Sequence, residues 1–387
     1  MLAPTELPPY IAKGDYLEIL LQRLVQLGAD DLLITSDEYV YLKLNKQILP
    51  LTNRPCNSAE VDLFAAYLNN GISVSGITGQ GKALDSVINL PLTDDLQLMS
   101  SEQRKGLLQG DNLHRFRVNI SRCEGLRNSA ICLTIRRISA KPLSLQQIGF
   151  KQTFADQILQ RKIGITLIAG ATGQGKSTTL ASIIAYLLSK PQAHENIVTV
   201  ESPIEYVYFS VKKPSATIKQ MQVGRDVDSF SGAVRRMLRM ALTTGVVGEM
   251  RDADTISRSC LLAQSGHRVL STVHANNVAQ IIPRCVAAFD QSMANQIRAE
   301  LIANINCLIA QQLLRDTKGK MVAVREVLYF SADIRRELSL CKISELDQLV
   351  QKQVAEQGVS FAKDAQDLYL KGKISKQDLE QFLVSRA

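Results

Sequence analysis

The stretch from Ile163 to Leu188 constrains the fold of this chain more than any other part of the sequence. It contains an apolar run, a glycine-rich turn and a segment with apolar residues at helical spacing, and it reads IGITLIAGATGQGKSTTLASIIAYLL. The recurring apolar positions of the last segment are Ile183, Ile184, Leu187 and Leu188. This pattern predicts a buried β-strand that turns directly into an amphipathic helix.

The turn inside this stretch matches G-x-x-x-x-G-K-[ST], with Gly170, Gly175, Lys176 and Ser177 at the defining positions. The glycines let backbone N–H groups point inward, and the N-terminus of the following helix favours anions. Lys176 supplies a charge for the β- and γ-phosphates, and the Ser177 hydroxyl can ligate Mg²⁺ that arrives with the nucleotide. The sequence therefore predicts a site for ATP and Mg²⁺ formed by Gly170, Ala171, Thr172, Gly173, Gln174, Gly175, Lys176, Ser177 and Thr178.

A second stretch, from Gly76 to Ala83, reads GITGQGKA and repeats similar letters. Ala83 stands where the metal-binding hydroxyl would be, and no long apolar run precedes Gly76. The motif binds phosphate only between a strand and a helix. We therefore interpret this second stretch as a glycine-rich turn that enters a strand at residues 83–90.

Composition sets broad limits on function. The chain has 387 residues, of which 45% are hydrophobic, and this is enough for two globular domains. Its net charge of +8 is compatible with a nucleic acid or an acidic membrane surface as a partner. Because no run of lysine and arginine exceeds two residues, a solvated basic surface is the favoured interpretation, and direct nucleic-acid binding is not expected.

The seven cysteines are odd in number and are never spaced as C-x-x-C. This usage favours a reducing compartment and argues against a zinc site built from cysteines. Cys260, Cys285 and Cys307 fall in helical patterns and are expected to be small core residues. The first residues form no basic and then apolar leader, and no apolar run is long enough to span a membrane, so neither export nor membrane insertion is predicted.

The first part of the chain reads as an α+β domain. Helices are predicted at residues 16–27 and 58–68, and Ser58 is the expected cap of the second helix. Strand patterns occur at residues 31–35, 40–44, 47–51, 83–90, 114–120 and 129–138. The last two strands are predicted to form a hairpin with a turn at Ser121–Asn128. These strands carry Arg117 and Arg136. The pattern of residues alone leaves two roles open for each arginine: a side chain that is solvated or ion-paired, or a contact to phosphate.

Strand and helix patterns alternate from Ile163 onward, which predicts a parallel sheet sandwiched by helices with its ligand site at the carboxyl ends of the strands. A long helical pattern follows at Ser292–Leu314, and a strand pattern at Met321–Phe330. Short amphipathic helices are predicted in the tail from Ile343, one of them capped by Ser375, and such helices pack on their own domain or on a neighbour.

Polar residues stand where three of these predicted strands end. They are Glu201 to Glu205, Gly248 to Asp252, and His274. Their position favours a catalytic role, although Asp252 also fits the N-cap of the helix at residues 253–264. His267 and His274 lack a third ligand for a metal site. They are either buried, hydrogen-bonded histidines or sensors of the γ-phosphate, and we prefer the second interpretation.

Four segments in order, GATGQGKSTTLA, VTVESPIEY, VVGEMRDADTI and SGHRVLSTVHANN, resemble the P-loop, Asp box, Walker B motif and His box of the secretion ATPase superfamily. This superfamily includes PilT-like pilus retraction motors, type II secretion motors and the traffic ATPases of type IV secretion. The lettering is most similar to PilT and to the DotB/TraJ-like ATPases of type IVB secretion and conjugation.

The resemblance covers roughly residues 15–330 and implies an α/β chain with a PAS-like α+β N-terminal domain over residues 1–138, a linker over 139–150 and a RecA-like P-loop ATPase domain over 151–330. The residue pattern adds a helical C-terminal tail over 331–387. The resemblance further implies a homohexameric ring with ATP between the two domains. The expected partners are the other subunits and an inner-membrane secretion, conjugation or pilus machine, which the ring would meet as a peripheral protein in the cytoplasm.

The resemblance also assigns roles to individual residues. Lys176 and Ser177 match the P-loop pair, Glu205 matches the general base, and Glu249 matches the Walker B glutamate, which holds Mg²⁺ through water alongside Ser177. The remaining matches are the two His-box histidines and the two arginines of the N-terminal strands that reach phosphates, namely His267, His274, Arg117 and Arg136.

Some letters depart from the family pattern. The Asp box of the family usually reads E-D-P-I-E, whereas this chain has Glu201-Ser202-Pro203-Ile204-Glu205. Before the Walker B motif the family usually has D-P-D, and this chain has Ala241-Leu242-Thr243. Gly245, at the start of the Walker B strand, is a poor strand former. The four-cysteine zinc module of type II motors is absent, which argues against that branch. An AIRNLI-like segment, typical of retraction motors, is also missing, which favours conjugation or type IVB secretion.

Three functions remain open from the sequence. The first is a motor that hydrolyses ATP for a secretion, conjugation or pilus machine. The second is a nucleotide-gated assembly or regulatory component with negligible turnover, which the altered Asp box suggests. The third is a DNA-translocating ATPase, which draws on the positive charge but lacks a basic groove interleaved with aromatic residues.

Overall fold

The computed structural model describes residues 4–44, 47–69, 71–74, 83–91, 113–125, 128–138 and 141–386. The glycine stretch at 76–83 lies outside these ranges except for its last residue. Contacts divide the chain into two compact units, Met1–Lys141 with Glu205–Ser210, and Pro142–Ile204 with Val211–Ala387. No helix among the described residues has the length and apolar character that membrane spanning requires.

Among the described residues, the first unit contains a six-stranded antiparallel sheet and two α-helices. The helices are α1 (Leu17–Gln26) and α2 (Ser58–Leu68). The sheet has the order β3-β2-β1-β6-β5-β4. Its strands are β1 (Asp31–Thr35), β2 (Tyr41–Leu44), β3 (Gln47–Pro50), β4 (Leu84–Pro91), β5 (Leu113–Gly125) and β6 (Asn128–Ile138). Alternate residues of β5 and β6 are buried in one core with α1 and α2, among them Phe116, Val118, Leu133 and Ile135.

Two local predictions for this unit are wrong. The cap of α2 is Asn57 rather than Ser58, because the Asn57 side chain accepts a hydrogen bond from the Glu60 N–H at 2.9 Å and the Glu60 carboxylate accepts one from the Asn57 N–H at 3.0 Å. This reciprocal arrangement is a capping box. Ser58 is the first helical residue, and its hydroxyl donates to Asp37 instead.

The hairpin is also longer than predicted. The expected turn at Ser121–Asn128 is mostly strand, because β5 continues to Gly125 and pairs there with Asn128, the first residue of β6. The polar and basic residues of this segment are typical of a turn. They are also compatible with a strand, because one face of an antiparallel sheet can be exposed to solvent and carry polar side chains.

The second unit is built on a seven-stranded sheet of order β13-β12-β7-β11-β10-β8-β9. Neighbouring strands from β12 to β9 run parallel, and β13 is antiparallel to β12. The strands are β7 (Gly164–Ala169), β8 (Glu195–Glu201), β9 (Ala216–Gln222), β10 (Thr244–Val247), β11 (Arg268–Val273), β12 (Ile305–Arg315) and β13 (Met321–Tyr329). The predicted parallel sheet is confirmed, with one antiparallel edge strand added.

Helices pack around this sheet. They are α3 (Gln152–Gln160), α4 (Lys176–Ser189), α5 (Phe230–Met237), α6 (Ala253–Gln264), α7 (Ile281–Val286) and α8 (Ala294–Asn304). The predicted N-cap role of Asp252 is confirmed, since its side chain accepts from the Thr255 N–H at 2.9 Å. Gly245 lies inside β10, and a Cβ added there would stand 2.7 Å from Cδ2 of Leu262 in α6. Glycine weakens the strand at this position, but its lack of a side chain allows α6 to pack closely.

The predicted long helix at Ser292–Leu314 is wrong. Helix α8 ends at Asn304, and the next residue begins β12, which is second from the edge of the sheet and paired on both sides. A short apolar run that is buried on both faces has no alternation, so its letters cannot distinguish a strand from a buried helix. Cys307 is consequently a strand residue, whereas the expectation that Cys260, Cys285 and Cys307 are buried is confirmed. Burial raises the pKa of the Cys260 and Cys285 thiols to about 12.

The C-terminal tail forms helices that belong to the second unit. They are α9 (Ala332–Leu340), α10 (Leu346–Gln357), α11 (Phe361–Leu370) and α12 (Lys376–Val384). The predicted cap of α12 is confirmed, because the Ser375 hydroxyl accepts from the Asp378 N–H at 3.1 Å. Leu379 and Phe382 of α12 are buried in the same core as the sheet, so the tail packs on its own unit.

Candidate nucleotide-binding site

The glycine-rich turn leaves the carboxyl end of β7, whose six residues are all buried, and leads into α4. Gly170 and Gly175 lie close to β12. A Cβ on Gly170 would stand 2.7 Å from the carbonyl oxygen of Gln311, and one on Gly175 would stand 2.9 Å from the Gln311 side-chain nitrogen. Gly175 also has a φ of +75°, which an L side chain rarely adopts. The backbone therefore needs glycine at both positions.

Lys176 is the first residue of α4, and it is buried at the turn. Its Nζ donates to the carbonyl oxygens of Gly170 at 2.7 Å and Ala171 at 3.0 Å, so the ammonium group lies inside the curve of the loop. The N-cap is Gly175, and no side chain of that residue competes with an anion for the N–H groups of the first turn. This geometry suits a polyphosphate, which would bring its own oxygens to the same ammonium group.

The side chain of Gln311 in β12 contacts both the loop and the helix that follows it. Its amide oxygen accepts from the Thr179 hydroxyl at 2.7 Å, and its amide nitrogen donates to the Gln174 carbonyl at 2.6 Å. The Gln174 side chain in turn accepts from the Leu313 N–H at 2.6 Å. Gln311 is not among the residues predicted from the sequence, although two adjacent glutamines in the apolar run INCLIAQQLL were a usable signal.

The turn after β10 carries Glu249, whose carboxylate has two basic neighbours. Glu249 Oε1 lies 3.0 Å from His274 Nε2, and Oε2 lies 2.7 Å from an Arg251 guanidinium nitrogen. Hydrogen bonds from β11 fix the turn, because the Ser271 and Thr272 hydroxyls donate to the carbonyls of Val247 and Gly248 at 2.6 and 2.7 Å.

Two adjoining cavities connect these elements. One, of about 630 Å³, is lined by Ala171 and Thr172 of the loop together with His274 and Arg284. The other, of about 460 Å³, is lined by Glu249, His274 and Arg284. The structure thus brings together the phosphate loop, the carboxylate after β10 and the histidine after β11. Arg284 is an additional exposed cation at this place, and the sequence held no signal that distinguished it from other surface arginines.

His267 lies at the other end of β11. It directly precedes the strand, and its Nδ1 is 3.1 Å from the Leu262 carbonyl oxygen, while its own carbonyl accepts from the Gly164 N–H at the start of β7. His267 and His274 flank the six residues of β11, so they are roughly 23 Å apart along the strand at about 3.3 Å per residue. The structure does not bring His267 to the phosphate loop of the same chain.

Glu205, Arg117 and Arg136 belong to the first unit. Arg117 and Arg136 are directly opposite each other on β5 and β6, and Arg117 is exposed. Arg136 pairs with the buried carboxylate of Asp31, its Nε lying 2.6 Å from Oδ1, and this hydrogen bond raises the pKa of Arg136. The neighbouring Arg115 donates to the Glu205 carbonyl oxygen at 2.6 Å.

The described residues contain no group of three or more histidine, cysteine, aspartate or glutamate side chains placed to hold a metal ion. The exposed Ser177 on α4 and the Glu249 carboxylate nevertheless fit Mg²⁺, because this ion usually keeps water ligands and takes one or two protein oxygens together with nucleotide phosphates. These residues would hold Mg²⁺ with a nucleotide and not as a resident protein-only site.

Comparison with known proteins gives consistent results. The family model described as type II/IV secretion system protein matches residues 111–367. The type IV pilus retraction ATPase PilT of Pseudomonas aeruginosa is 32% identical over 305 residues, which are 75% of this chain and 84% of that protein.

Two solved structures are similar over nearly their whole length. The ATPase DotB of Legionella pneumophila has a TM-score of 0.85 and 27% identity, with 99% of this chain and 100% of that chain covered. The pilus retraction motor PilT with bound ADP has a TM-score of 0.76 and 26% identity, with 94% of this chain and 96% of that chain covered.

Proposed function

Because the chain belongs to the type II/IV secretion system protein family, whose members include ATPases, we propose that it is an ATP hydrolase that works as a homohexameric motor. The observation that carries this proposal is the buried Lys176 ammonium inside the loop at the end of β7, with the Glu249 carboxylate at the neighbouring strand end. The similar PilT structure contains ADP, which supports nucleotide binding at this loop.

Each predicted residue has a role in this proposal. The loop N–H groups and Lys176 bind the phosphates and offset the negative charge on the γ-phosphoryl oxygens. Ser177 and Glu249 would hold Mg²⁺, which when bound neutralises charge between the β- and γ-phosphates. Glu205 positions the attacking water. His274 senses the γ-phosphate through its contact with Glu249, and Arg117 and Arg136 contribute positive charge from the first unit. His267 has a structural or inter-subunit role.

We also propose that the first unit is a PAS-like domain and that the second unit is a RecA-like domain. The motor would act in the cytoplasm as a peripheral protein of an inner-membrane machine, without direct contact to nucleic acid. Light scattering in the presence of ATP and Mg²⁺ should give six times the mass of one chain. A monomer under these conditions would contradict the ring assembly and leave the hydrolase proposal standing.

Steady-state phosphate release tests the hydrolase activity. Lys176→Ala removes the ammonium group from the loop, and we expect turnover to fall by at least about 100-fold, as for the loss of an electrostatic contact to a reacting phosphate. Lys190→Ala is the matched control, because Lys190 lies at the other end of the same helix and pairs with Asp156 at 2.6 Å. It should keep turnover within about twofold. Equal turnover by the parent and Lys176→Ala would overturn the proposal.

A nucleotide-gated component with negligible turnover is the second candidate. It is favoured by the engagement of Glu249 by both Arg251 and His274, and by Ser202 in the Asp box where the family has an aspartate. Nucleotide binding that Lys176→Ala abolishes, together with a parent turnover no greater than that of Glu249→Gln, would identify this function.

The machine that the motor would serve is the finer part of the proposal. The higher TM-score of DotB, 0.85 against 0.76 for PilT, supports a type IVB-like secretion or conjugation machine. The sequence identity to PilT supports a pilus retraction motor as the alternative. Pull-down of the full chain with the inner-membrane components encoded beside its gene would separate the two.

A further inference from the structure

Arg325 is a buried cation in the edge strand β13, with 4% of its surface exposed. Its Nε donates to the Gln311 side-chain oxygen at 2.9 Å, and its two terminal nitrogens donate to the carbonyl oxygens of Gly149 at 3.2 Å and Ile148 at 3.0 Å. The guanidinium group also stacks 5.0 Å from the Phe150 ring. One side chain therefore joins the segment before α3 to the residue that supports the phosphate loop.

The arginine determines which way the Gln311 amide points. A guanidinium group can only donate hydrogen bonds, so the amide must present its oxygen to Arg325. The amide nitrogen is then directed away, and it donates to the Gln174 carbonyl in the loop at 2.6 Å. The Thr179 hydroxyl could donate or accept and would not by itself fix this orientation.

Burial of the Arg325 guanidinium group carries a desolvation cost, and most of the groups that accept its hydrogen bonds are neutral. Burial lowers the pKa of Arg325 to about 10, and the charge of Asp364 on α11 acts in the opposite direction. The Asp364 carboxylate accepts a hydrogen bond from the Arg325 backbone N–H at 2.8 Å. An apolar side chain of the same length would avoid the desolvation cost, so stability alone does not account for an arginine at this position.

We propose that Arg325 and Gln311 are positioning residues that hold the phosphate loop in its nucleotide-binding shape and connect it to the segment of Ile148 and Gly149. The inference rests on the proposed nucleotide binding at Lys176. It means that a displacement of this segment, which belongs to the second unit and begins seven residues after Lys141, changes the nucleotide affinity of the loop. Neither residue touches the nucleotide.

The test measures ATP affinity and thermal stability of the full chain in parallel. Arg325→Met and Gln311→Met should each weaken ATP binding by about 10-fold, the loss of one charge-assisted or buried hydrogen bond. The double variant should bind no more weakly than the weaker single variant, because both changes break the same connection. Arg325→Lys keeps the charge but not the planar fork, and it should not restore affinity.

Gln311→Glu separates loop positioning from folding. A glutamate still accepts from Arg325, and the new ion pair should maintain the melting temperature, but a carboxylate cannot donate to the Gln174 carbonyl. We expect weaker ATP binding in a protein that melts as the parent does. Parent-like ATP affinity in this variant would overturn the inference.

Arg335→Met is the matched control. Arg335 is half-buried and donates to the carbonyl of Phe330 at 2.9 Å and to that of Ile305 at 2.6 Å. Ile305 is the first residue of β12 and lies six residues before Gln311. Its loss should lower the melting temperature and leave ATP affinity within about twofold. If Arg335→Met and Arg325→Met lost the same amount of ATP affinity, the inference would be contradicted and the proposed function would stand. Absence of ATP binding by the parent would overturn the proposed function, and this inference with it.

Discussion

At the scale of single residues, one carboxylate organises the N-terminal part of the first unit. Glu60 has no exposed surface and accepts hydrogen bonds from the N–H groups of Ile11 at 2.9 Å and Asn57 at 3.0 Å. It also accepts from both terminal nitrogens of Arg54, at 2.9 and 2.7 Å. Burial raises the pKa of Glu60, but Arg54 and the two N–H groups outweigh it and hold the pKa below its ordinary value.

Glu60→Gln should destabilise the first unit by about 2–4 kcal/mol at pH 7, because the half-buried Arg54 guanidinium loses the buried carboxylate that is its anionic partner. The contribution of a carboxylate with a lowered pKa is present above the ordinary glutamate value of about 4.3 and is lost as the pH falls through the lowered value. The gap between parent and variant in urea unfolding, followed by circular dichroism, should therefore close in acid. A gap that stays constant from neutral to strongly acidic pH would contradict this account.

The surface pair of Lys352 and Glu356, at 3.9 Å with both side chains mostly exposed, offers a control for that experiment. Glu356→Gln should change the free energy of unfolding by less than about 0.5 kcal/mol, because solvent screens an exposed pair.

At the scale of elements, the attachment of the tail to the sheet depends on a close backbone approach. Helix α10 ends at Gln357, and the next but one residue, Val359, exchanges two backbone hydrogen bonds with Val327 of β13, at 2.8 and 2.9 Å. Gly358 lies between them, and an added Cβ would stand 2.5 Å from the Val327 carbonyl oxygen and 2.9 Å from that of Val354. The chain can move from helix to strand edge here only without a side chain.

Gly358→Ala should therefore lower the free energy of unfolding by about 1–3 kcal/mol, as for other overpacked sites. The matched change is Gly232→Ala in α5, where the added Cβ would meet only the Ser229 hydroxyl, at 3.1 Å, and where alanine favours the helix. Calorimetric melting of both variants distinguishes the effects. If Gly358→Ala melts at or above the parent temperature, the proposed steric role of this glycine is wrong.

At the scale of the whole molecule, the C-terminal helices complete the core of the second unit. Phe382 of α12 is 3% exposed, and its ring meets that of Phe361 edge to face at 6.0 Å. Arg386 lies over the Phe361 ring at 4.0 Å and donates to the carbonyl of Asn276, which follows His274 by two residues. The tail thus contributes apolar burial to the same core as β7, the strand that leads into the glycine-rich loop.

Phe382→Ala should cost about 3–5 kcal/mol, the range for removal of a buried aromatic side chain that leaves a cavity. Val384→Ala on the same helix removes a side chain that is 77% exposed and should change stability by less than about 0.5 kcal/mol. Thermal unfolding of the two variants with and without ATP would show whether the tail stabilises the nucleotide-bound chain. Equal melting temperatures for both variants would place α12 outside the cooperative core.

Much of the fold and of the candidate site can be predicted from residues that are close to one another in the sequence. The phosphate loop is contiguous, and its strand and helix flank it directly, so the spacing of Gly170, Gly175 and Lys176 suffices to predict it. Glu249 and His274 were predictable because each follows an apolar run. Arg284 and Arg325 were not, because Arg284 lines a cavity formed by other elements and the Gln311 partner of Arg325 lies 14 residues away. Two adjacent glutamines marked Gln311 locally, but its contact with Gln174 of the loop spans 137 residues and was not predictable.

The sequence alone determined the strand, glycine-rich turn and helix of β7 and α4 and the capping of α12, since these depend on residues within a few positions of one another. Only the tertiary structure decided that residues 305–315 form a strand paired on both sides and that His267 lies at the opposite end of β11 from the loop. It also decided that a buried arginine stands behind the loop. The physical reason is that burial on both faces and pairing between distant strands are properties of the assembled sheet, and a local pattern of letters does not contain them.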